Sequence, residues 1–349
     1  MIALVVENPL GKTGVGRYTR YLIDLLDSNC IEYDIIDYTK TLSHDRVVSK
    51  RQWYRRLSYI LVLFGFRDII TLNKYDLFIF PTASPMSVLT RGKRIVAVHD
   101  LMHKFYNFRE VSRFDIRTYR DCLYGSLSKS MVTVVLDSEV GAEHWKMFFG
   151  HANKTVVIPF YADLESNGQI KSDLIRDNDL DNYLFYPAAF WSHKNHLNLV
   201  KAVKELVTAS NLAFKLVFCG KANAISEKIM DLIGEFNLKE YFVILDFVGD
   251  NELIELYLNS KGLIFPSYFG PTNIPPLEAI SLGVPIAVAD VFEPKAIYGE
   301  GILTFDPDDI QGISEACRTL LCSEKVYLGN VKNNKVKFVQ SWLGALNEN

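Results

Sequence analysis

A loop rich in glycine, proline and asparagine leads into a predicted helix between Phe265 and Pro285. Pro275 and Pro276 mark the first turn of that helix, where the N–H that proline lacks would be unpaired anyway. The free backbone N–H groups and the positive dipole end of such a helix favour a phosphate-bearing ligand. Glu278 lies just inside the helix, where its carboxylate could accept hydrogen bonds from ribose hydroxyls. The segment therefore indicates a nucleotide-linked ligand.

Lys194 lies near the start of another predicted helix, after a strand that ends at Pro187. A cation at this end of a helix dipole is unfavourable by about 0.3–1 kcal/mol. A bound diphosphate would supply the compensating charge, so the placement favours ligand binding over a lysine bent toward solvent. Glu278, taken alone, is better explained as a carboxylate that caps its own helix.

Two more candidate segments follow predicted strands in the first half of the chain. Gly14 and Gly16 stand after the first strand, where glycine lets the backbone approach a ligand. Their spacing is neither G-x-G-x-x-G nor a P-loop, and a tight turn is the alternative. His99 and Asp100 follow a buried run, and His99 can donate to a sugar hydroxyl or a phosphate. A histidine hydrogen-bonded at the rim of the core is the competing explanation.

Twelve short apolar runs alternate with helical stretches and would present these side chains at their carboxyl ends. Most runs are continuous Val, Ile, Leu and Phe, which is typical of parallel strands buried on both faces. Their alternation with helices predicts right-handed β-α-β units in a doubly wound α/β fold. The runs are 1–6, 33–37, 77–81, 94–98, 131–136, 155–158, 183–187, 214–219, 243–245, 262–265, 285–289 and 301–304.

A polar, acidic stretch over 161–182 separates the two sets of runs and predicts a domain boundary. We expect Rossmann-like domains over 1–165 and 175–330, and a final helix over 331–349 that packs back toward the first domain. Ligands of such sheets bind beyond the carboxyl ends of the strands. The expected site is therefore a cleft that the two domains face.

The composition excludes several classes of protein. The 349 residues include 49% hydrophobic and 23% charged residues and carry a net charge of -3, which gives no case for a nucleic-acid partner. Five scattered cysteines predict reduced thiols in a cytosolic protein. The apolar run at the N-terminus is too short for a signal peptide.

An apolar window over 57–66 follows a segment of cations and aromatics at 50–56. The window is about half the roughly 20 residues that span a bilayer. Cations and aromatics beside an apolar stretch are typical of a membrane-surface segment. A solvated basic turn before a core helix explains the pattern equally well.

In this order, the segments resemble the family-4 retaining glycosyltransferases, which have the GT-B fold. The resemblance covers nearly the whole chain. Residues 14–18 are similar to the family's glycine loop, 98–101 to its His-Asp segment, and 266–285 to its Glu-x7-Glu region. Further similar stretches are 134–139, 154–159 and 247–257.

The family implies transfer of a sugar from a nucleotide diphosphate sugar to a hydroxyl, with retention at the anomeric carbon. The first domain would bind the acceptor and the second the donor. By this resemblance, Glu278 holds the ribose hydroxyls and Lys194 neutralises the diphosphate. Gly14 and Gly16 lie near the phosphates, and His99 lies near the donor sugar. His99, Lys194 and Glu278 are thus the expected catalytic residues, with neither a metal nor another cofactor.

The chain departs from the family pattern at several positions. Gly270 stands in place of the first Glu of Glu-x7-Glu, and Ala189 in place of the arginine that partners the lysine. Phe160-Tyr161 replaces the usual Asn-Gly. We expect Arg17 to replace the missing guanidinium.

Gly270-Pro-Thr-Asn273 looks like a subgroup pattern found in bacterial polysaccharide glycosyltransferases. Thr272, Asn273 and Ile274 are then expected to contact the sugar or the phosphates.

The expected function is addition of a sugar to a growing surface polysaccharide, a lipid-linked O-antigen or capsule unit. The enzyme would be cytoplasmic, with the segment 50–56, Arg113, Arg117 and Arg120 holding it at the anionic inner face of the membrane. Three alternatives stay open: another GT-B enzyme such as a nucleotide-sugar 2-epimerase, a dinucleotide oxidoreductase, and a non-catalytic nucleotide-sugar-binding protein. The absence of G-x-G-x-x-G disfavours the oxidoreductase.

Overall fold

The computed structural model describes residues 1–6, 14–37, 57–108, 114–162, 164, 173–246, 248–270, 272–322, 327–331 and 333–348. The chain forms two compact units. Unit 1 comprises Met1–Phe160 and Lys335–Asn349, and unit 2 comprises Tyr161–Asn334. Predictions that concern 50–56, Arg113, Phe247 and Pro271 lie outside the described residues.

Unit 1 contains a six-stranded parallel sheet in the order β2-β1-β3-β4-β5-β6. Its strands are β1 (Ile2–Val6), β2 (Tyr33–Asp37), β3 (Leu77–Phe80), β4 (Lys93–Ala97), β5 (Thr133–Leu136) and β6 (Lys154–Val157). Its helices are α1 (Gly14–Ser28), α2 (Pro85–Leu89), α3 (Met102–Phe105), α4 (Phe114–Ser128) and α5 (Glu139–Phe149), with a further helical stretch over 57–63.

Unit 2 contains a second six-stranded parallel sheet, in the order β12-β11-β10-β7-β8-β9. Its strands are β7 (Tyr183–Pro187), β8 (Lys215–Cys219), β9 (Phe242–Leu245), β10 (Gly262–Phe265), β11 (Ile286–Ala289) and β12 (Leu303–Phe305). Its helices are α6 (Leu174–Asp177), α7 (His196–Ala209), α8 (Ala224–Glu235), α9 (Asp250–Leu258), α10 (Ile274–Ser281), α11 (Pro294–Tyr298) and α12 (Ile310–Cys322). Short 3-10 turns occupy Ser192–Lys194 and Lys239–Tyr241.

The predicted doubly wound α/β architecture is confirmed, and each of the twelve predicted runs overlaps a strand. Central strands such as β3 and β10 are buried along their whole length, as their continuous apolar sequence requires. The edge strand β2 is only partly buried, and Ile35 keeps 48% of its surface exposed. Among the described residues, no helix has both the length and the apolar character needed to cross a bilayer.

The last helix, α13 (Asn334–Asn347), completes the core of unit 1. Phe338 and Trp342 lie four residues apart, so they share one face of the helix, and neither is exposed. Both rings pack on Tyr18 of α1, at centroid distances of 5.7 and 6.4 Å. Val336, on the same helix, stays 53% exposed.

Replacement of Trp342 by alanine should lower the free energy of unfolding of unit 1 by about 3–5 kcal/mol, because a buried aromatic side chain leaves a cavity. The matched control is Val336→Ala, which removes an exposed side chain and should change stability by about 0.5 kcal/mol or less. Chemical denaturation of the full chain measures both. Equal midpoints for the two variants would contradict the packing role of Trp342.

Candidate nucleotide-binding site

The sheet of unit 2 has the strand order of a Rossmann fold. If β7 is numbered as strand 1 and β12 as strand 6, the order across the sheet from β9 to β12 is 3-2-1-4-5-6. The strand order reverses between β7 and β10, which are hydrogen-bonded neighbours, and we call this place the reversal point. Ligands of such sheets bind outside the carboxyl ends of the strands at this point. The two loops at this point are 188–195, which follows β7, and 266–273, which follows β10.

Lys194 lies on the first of these loops and reaches the second. Its Nζ lies 3.0 Å from Oδ1 of Asn273 and 3.4 Å from the hydroxyl of Ser267. The ammonium also stands 5.0 Å from the centre of the Phe265 ring. Both of these acceptors are neutral, and the two contacts orient the ammonium. The side chain that was predicted to meet a diphosphate therefore lies at the reversal point.

The backbone around Lys194 is fixed from three sides. The Tyr186 hydroxyl donates to the carbonyl of Lys194 at 2.6 Å, and the N–H of Tyr268 donates to the carbonyl of His193 at 2.9 Å. Asn195 adopts a left-handed conformation, with φ of 60°, and its amide donates to the carbonyl of Pro307 at 2.8 Å. Asparagine tolerates this backbone better than most side chains.

His196 follows directly and is buried against the rings of Tyr186, Phe190 and Phe218, with centroids 4.6 to 5.0 Å away. Burial, reinforced by the neighbouring charge of Lys194, lowers the pKa of His196 to about 3. His196 is therefore neutral at pH 7 and contributes packing rather than charge.

Glu278 lies on α10 and is 2% exposed. It is the fifth residue of that helix, because α10 begins at Ile274 with Asn273 as its N-cap, so Glu278 lies beyond the first turn. Its Oε2 accepts a hydrogen bond from the Tyr257 hydroxyl at 2.8 Å. The competing explanation of Glu278 as a helix-capping carboxylate does not fit this position.

The start of α10 offers fewer backbone donors than its sequence suggests. The N–H of Asn273 donates to the Tyr298 hydroxyl at 2.7 Å, and Pro275 and Pro276 have no N–H. Over residues 273–276, the N–H of Ile274 is therefore the one backbone donor that is neither used by Tyr298 nor missing because of proline. The expected row of free N–H groups is absent over these four residues, and the helix acts on an anion there through its dipole and one amide.

Asn273 packs against position 270, where the resemblance led us to expect a glutamate and the chain has glycine. Gly270 has φ of +117°, and a Cβ added there would lie 2.5 Å from Nδ2 of Asn273. The same Nδ2 donates to the carbonyl of Gly270 at 2.8 Å. Position 270 therefore cannot carry a side chain in this conformation. The neighbouring Thr272 hydroxyl is buried and has no hydrogen-bond partner among the described residues.

The predicted glycine segment of unit 1 lies within a helix. Gly14 is the first residue of α1, and Gly16 and Arg17 belong to its first turn. Gly16 is buried and Arg17 is half-buried. Residues 11–13 lie outside the described part of the chain. Whether Gly14, Gly16 and Arg17 contact phosphate stays a prediction.

His99 has a defined protonation pattern. Its Nε2 lies 2.7 Å from the carbonyl of Pro81, and a carbonyl only accepts, so Nε2 carries the proton. Burial lowers the pKa of His99, which favours the neutral ring. Nδ1 is then an acceptor. The expectation that His99 donates to the ligand is thus wrong for this tautomer, because its N–H is already used.

Asp100 and Arg120 form a partly buried ion pair in unit 1. Oδ2 of Asp100 accepts from Arg120 at 2.8 Å, and Oδ1 accepts from the N–H of Met102 at 3.1 Å. Burial alone would raise the pKa of Asp100, but the Arg120 guanidinium holds it below its ordinary value. Arg120 is only 19% exposed. Arg120 is thus paired with Asp100, and its contact with a membrane stays a prediction.

Ser267, Tyr257 and Tyr298 also support the site, although no sequence motif singled out these side chains. Ser267 follows β10 by two residues, and polar residues at that place in a parallel sheet are a usable signal. The tyrosines lie on α9 and α11, and only the packing of those helices brings their hydroxyls to Glu278 and Asn273.

Residues 171–336 match the family described as Glycosyl transferases group 1. Over 154 residues the chain is 29% identical to the O-antigen chain mannosyltransferase RfbU of Salmonella typhimurium, covering 44% of this chain and 42% of that protein. Over 132 residues it is 26% identical to the O-antigen chain mannosyltransferase B of Escherichia coli, covering 38% and 35%. The matches thus span less than half of these relatives.

Solved structures are similar over the full chain. Sucrose-phosphate synthase from Thermosynechococcus elongatus has a TM-score of 0.73 at 16% identity, covering 99% of this chain and 98% of that one. The chain has the GT-B fold. Anabaena Alr3699/HepE, solved in complex with UDP and glucose, has a TM-score of 0.68 at 14% identity, covering 100% and 99%. The predicted fold is thereby confirmed.

Replacement of Gly270 by alanine should destabilise unit 2 more than replacement of Gly283. Both glycines have positive φ, +117° and +72°, but an added Cβ at Gly283 meets no atom within 4 Å. Backbone strain costs on the order of 1–3 kcal/mol in each variant. Only Gly270→Ala also collides with Asn273.

The free energies of unfolding from denaturant titration measure the difference. Adding Asn273→Gly to the Gly270→Ala variant should restore the part of the unfolding free energy that was lost through the collision. Equal losses in the two alanine variants would mean that Asn273 moves aside without cost.

Proposed function

We propose that the chain is a glycosyltransferase that moves a sugar from a nucleotide diphosphate sugar to a hydroxyl of a growing glycan, in the synthesis of an O-antigen or related surface polysaccharide. The proposal rests on the position of Lys194: its ammonium lies 3.0 Å from Oδ1 of Asn273, at the reversal point in the sheet of unit 2. This site lies within the segment that matches the group 1 glycosyl transferases. The mannosyltransferase relatives support a mannosyl donor.

Unit 2 would hold the nucleotide diphosphate. Lys194 offsets the charge of the diphosphate, aided by the dipole of α10 and the N–H of Ile274. Glu278 accepts hydrogen bonds from the ribose hydroxyls through lone pairs beyond the one that Tyr257 uses. As the bond between the sugar and the phosphate breaks, negative charge grows on the phosphate, and Lys194 stabilises it without a metal.

We propose retention at the anomeric carbon. The acceptor oxygen forms its bond to that carbon on the face from which the phosphate leaves. The acceptor's proton passes to the leaving phosphate oxygen, so no nucleophile from the protein is needed. His99 would take part as a hydrogen-bond acceptor through Nδ1, since its other nitrogen donates to Pro81.

We also propose that unit 1 contacts an anionic membrane surface. Phe64, Phe66 and Met131 are 79%, 49% and 94% exposed. Arg67 donates to the carbonyl of Lys129 at 3.0 Å, which brings two exposed cations next to Met131. Exposed apolar side chains rimmed by cations suit the boundary between acyl chains and anionic headgroups.

A thermal-shift screen with GDP, UDP, dTDP and their sugars tests the donor site. One nucleotide and its sugar should raise the melting temperature of the wild-type protein, because a ligand that binds only the native state stabilises it. Lys194→Met and Glu278→Gln should each weaken that binding by about tenfold or more, since hydrogen bonds to charged groups contribute about 1.5–3 kcal/mol.

Lys228→Met is the matched control for the donor site, because Lys228 is exposed on α8. It should bind as the wild-type protein does. The product of the selected donor with a lipid-linked acceptor, and its anomeric configuration by NMR, tests transfer and retention. No shift with any of the nucleotides or sugars would exclude the proposal.

Co-sedimentation with vesicles tests the membrane contact. Binding to anionic vesicles should be strong at low salt and should weaken with added salt. The double variant Phe64→Ser, Met131→Ser should lose most of it. Met230→Ser removes a side chain that is 47% exposed in unit 2 and is the control. Equal sedimentation of wild-type protein with anionic and neutral vesicles would argue against the proposal.

A further inference from the structure

A second carboxylate stands beside the Gly270 turn. Strands β10 and β11 are hydrogen-bonded neighbours, so the loops that follow them leave the same edge of the sheet side by side. The Phe292 ring packs edge-on against Phe269, the residue before Gly270, with centroids 4.9 Å apart. Glu293 follows Phe292 and precedes α11, the helix whose Tyr298 accepts the N–H of Asn273. Glu293 thus belongs to a loop attached to the candidate site at two points.

The backbone that presents Glu293 is strained. Phe292 and Glu293 are consecutive residues in the left-handed region, with φ of 58° and 54°. Each costs roughly 1–2 kcal/mol relative to glycine. Strain of this kind persists where the surroundings hold it, and it is common at ligand-binding sites.

The carboxylate of Glu293 is not used within the described structure. Its side chain does not cap α11, although Glu293 occupies the N-cap position. Glu293 is exposed, and its carboxylate has no hydrogen-bond or ion-pair partner among the described residues. A glycine would relieve the strain at this position, yet the chain has a carboxylate there.

The Gly270 turn, in contrast, lacks a carboxylate for a sugar. Position 270 is closed to side chains by Asn273. The amide of Asn273 is engaged at both ends, by Lys194 at 3.0 Å and by the carbonyl of Gly270 at 2.8 Å. Asn273 therefore supports the site, and a carboxylate for the hydroxyls of a donor sugar would have to come from another segment.

We propose that Glu293 supplies this acceptor and binds hydroxyls of the donor sugar, which makes it a specificity-determining residue. This inference rests on the proposed function and concerns the same donor site. A carboxylate offers several acceptor positions to hydroxyl groups, and its charge strengthens each hydrogen bond. The loop that carries Glu293 is held beside the Gly270 turn by the contact between Phe292 and Phe269.

Two substitutions separate the carboxylate from the backbone that carries it. Glu293→Gln keeps the shape and removes the charge, and Glu293→Gly removes the side chain and relieves the strain. Calorimetric titration compares the nucleoside diphosphate with the nucleotide sugar selected by the thermal-shift screen. Both variants should bind the diphosphate as the wild-type protein does and lose roughly ten- to hundredfold in affinity for the nucleotide sugar. The glycine variant should also melt at a higher temperature than the wild-type protein.

Glu300→Gln is the control, because Glu300 is an exposed carboxylate shortly after α11. It should bind both ligands normally. Unchanged affinity of both Glu293 variants for the nucleotide sugar would overturn the inference while leaving the proposed function intact. Equal loss of both ligands would also overturn it, since the effect would then lie at the diphosphate. A wild-type protein that binds neither ligand would overturn the proposed function and this inference with it.

Discussion

The hydrogen bond between Lys194 and Asn273 joins the two loops that leave the sheet of unit 2 at its reversal point. One amide group serves both this lysine and the carbonyl of Gly270, and the same residue's N–H reaches Tyr298. The direction of the ammonium, the tight Gly270 turn and the position of α11 thus depend on a single residue. The Asn273 side chain fills the space beside Gly270, and the backbone there has φ of +117°, so both features favour glycine at this position. The glycine at position 270 and the asparagine at position 273 are two aspects of one arrangement.

The twelve strands could be predicted because parallel strands buried on both faces need continuous apolar runs, which few other structures tolerate. The places of Lys194 and Glu278 followed from the same reasoning, since loops after buried strands meet at one edge of the sheet. The start of α10 was harder to predict. Two prolines indicate a helix start, but they do not reveal that Tyr298 takes the N–H of Asn273.

Protonation and pairing that depend on residues far apart in the chain could not be predicted from the sequence. The proton of His99 is placed by the carbonyl of Pro81, and the role of Arg120 is set by Asp100, 20 residues away. Backbone strain is equally hidden. Left-handed residues occur at Asn195, Gly270 and Phe292–Glu293, in the loops that follow β7, β10 and β11. Only one of these positions is a glycine, so the composition alone does not reveal them.

The packing of α13 has a consequence for how the protein is made. Tyr18 contacts the His99 ring at 5.0 Å on one side and the rings of Phe338 and Trp342 on the other. The ribosome synthesises all of unit 2 before it reaches these last two residues. During translation, the apolar face of unit 1 beside His99 therefore stays uncovered until α13 has been synthesised. The nascent chain completes the core of unit 1 only when α13 emerges from the exit tunnel.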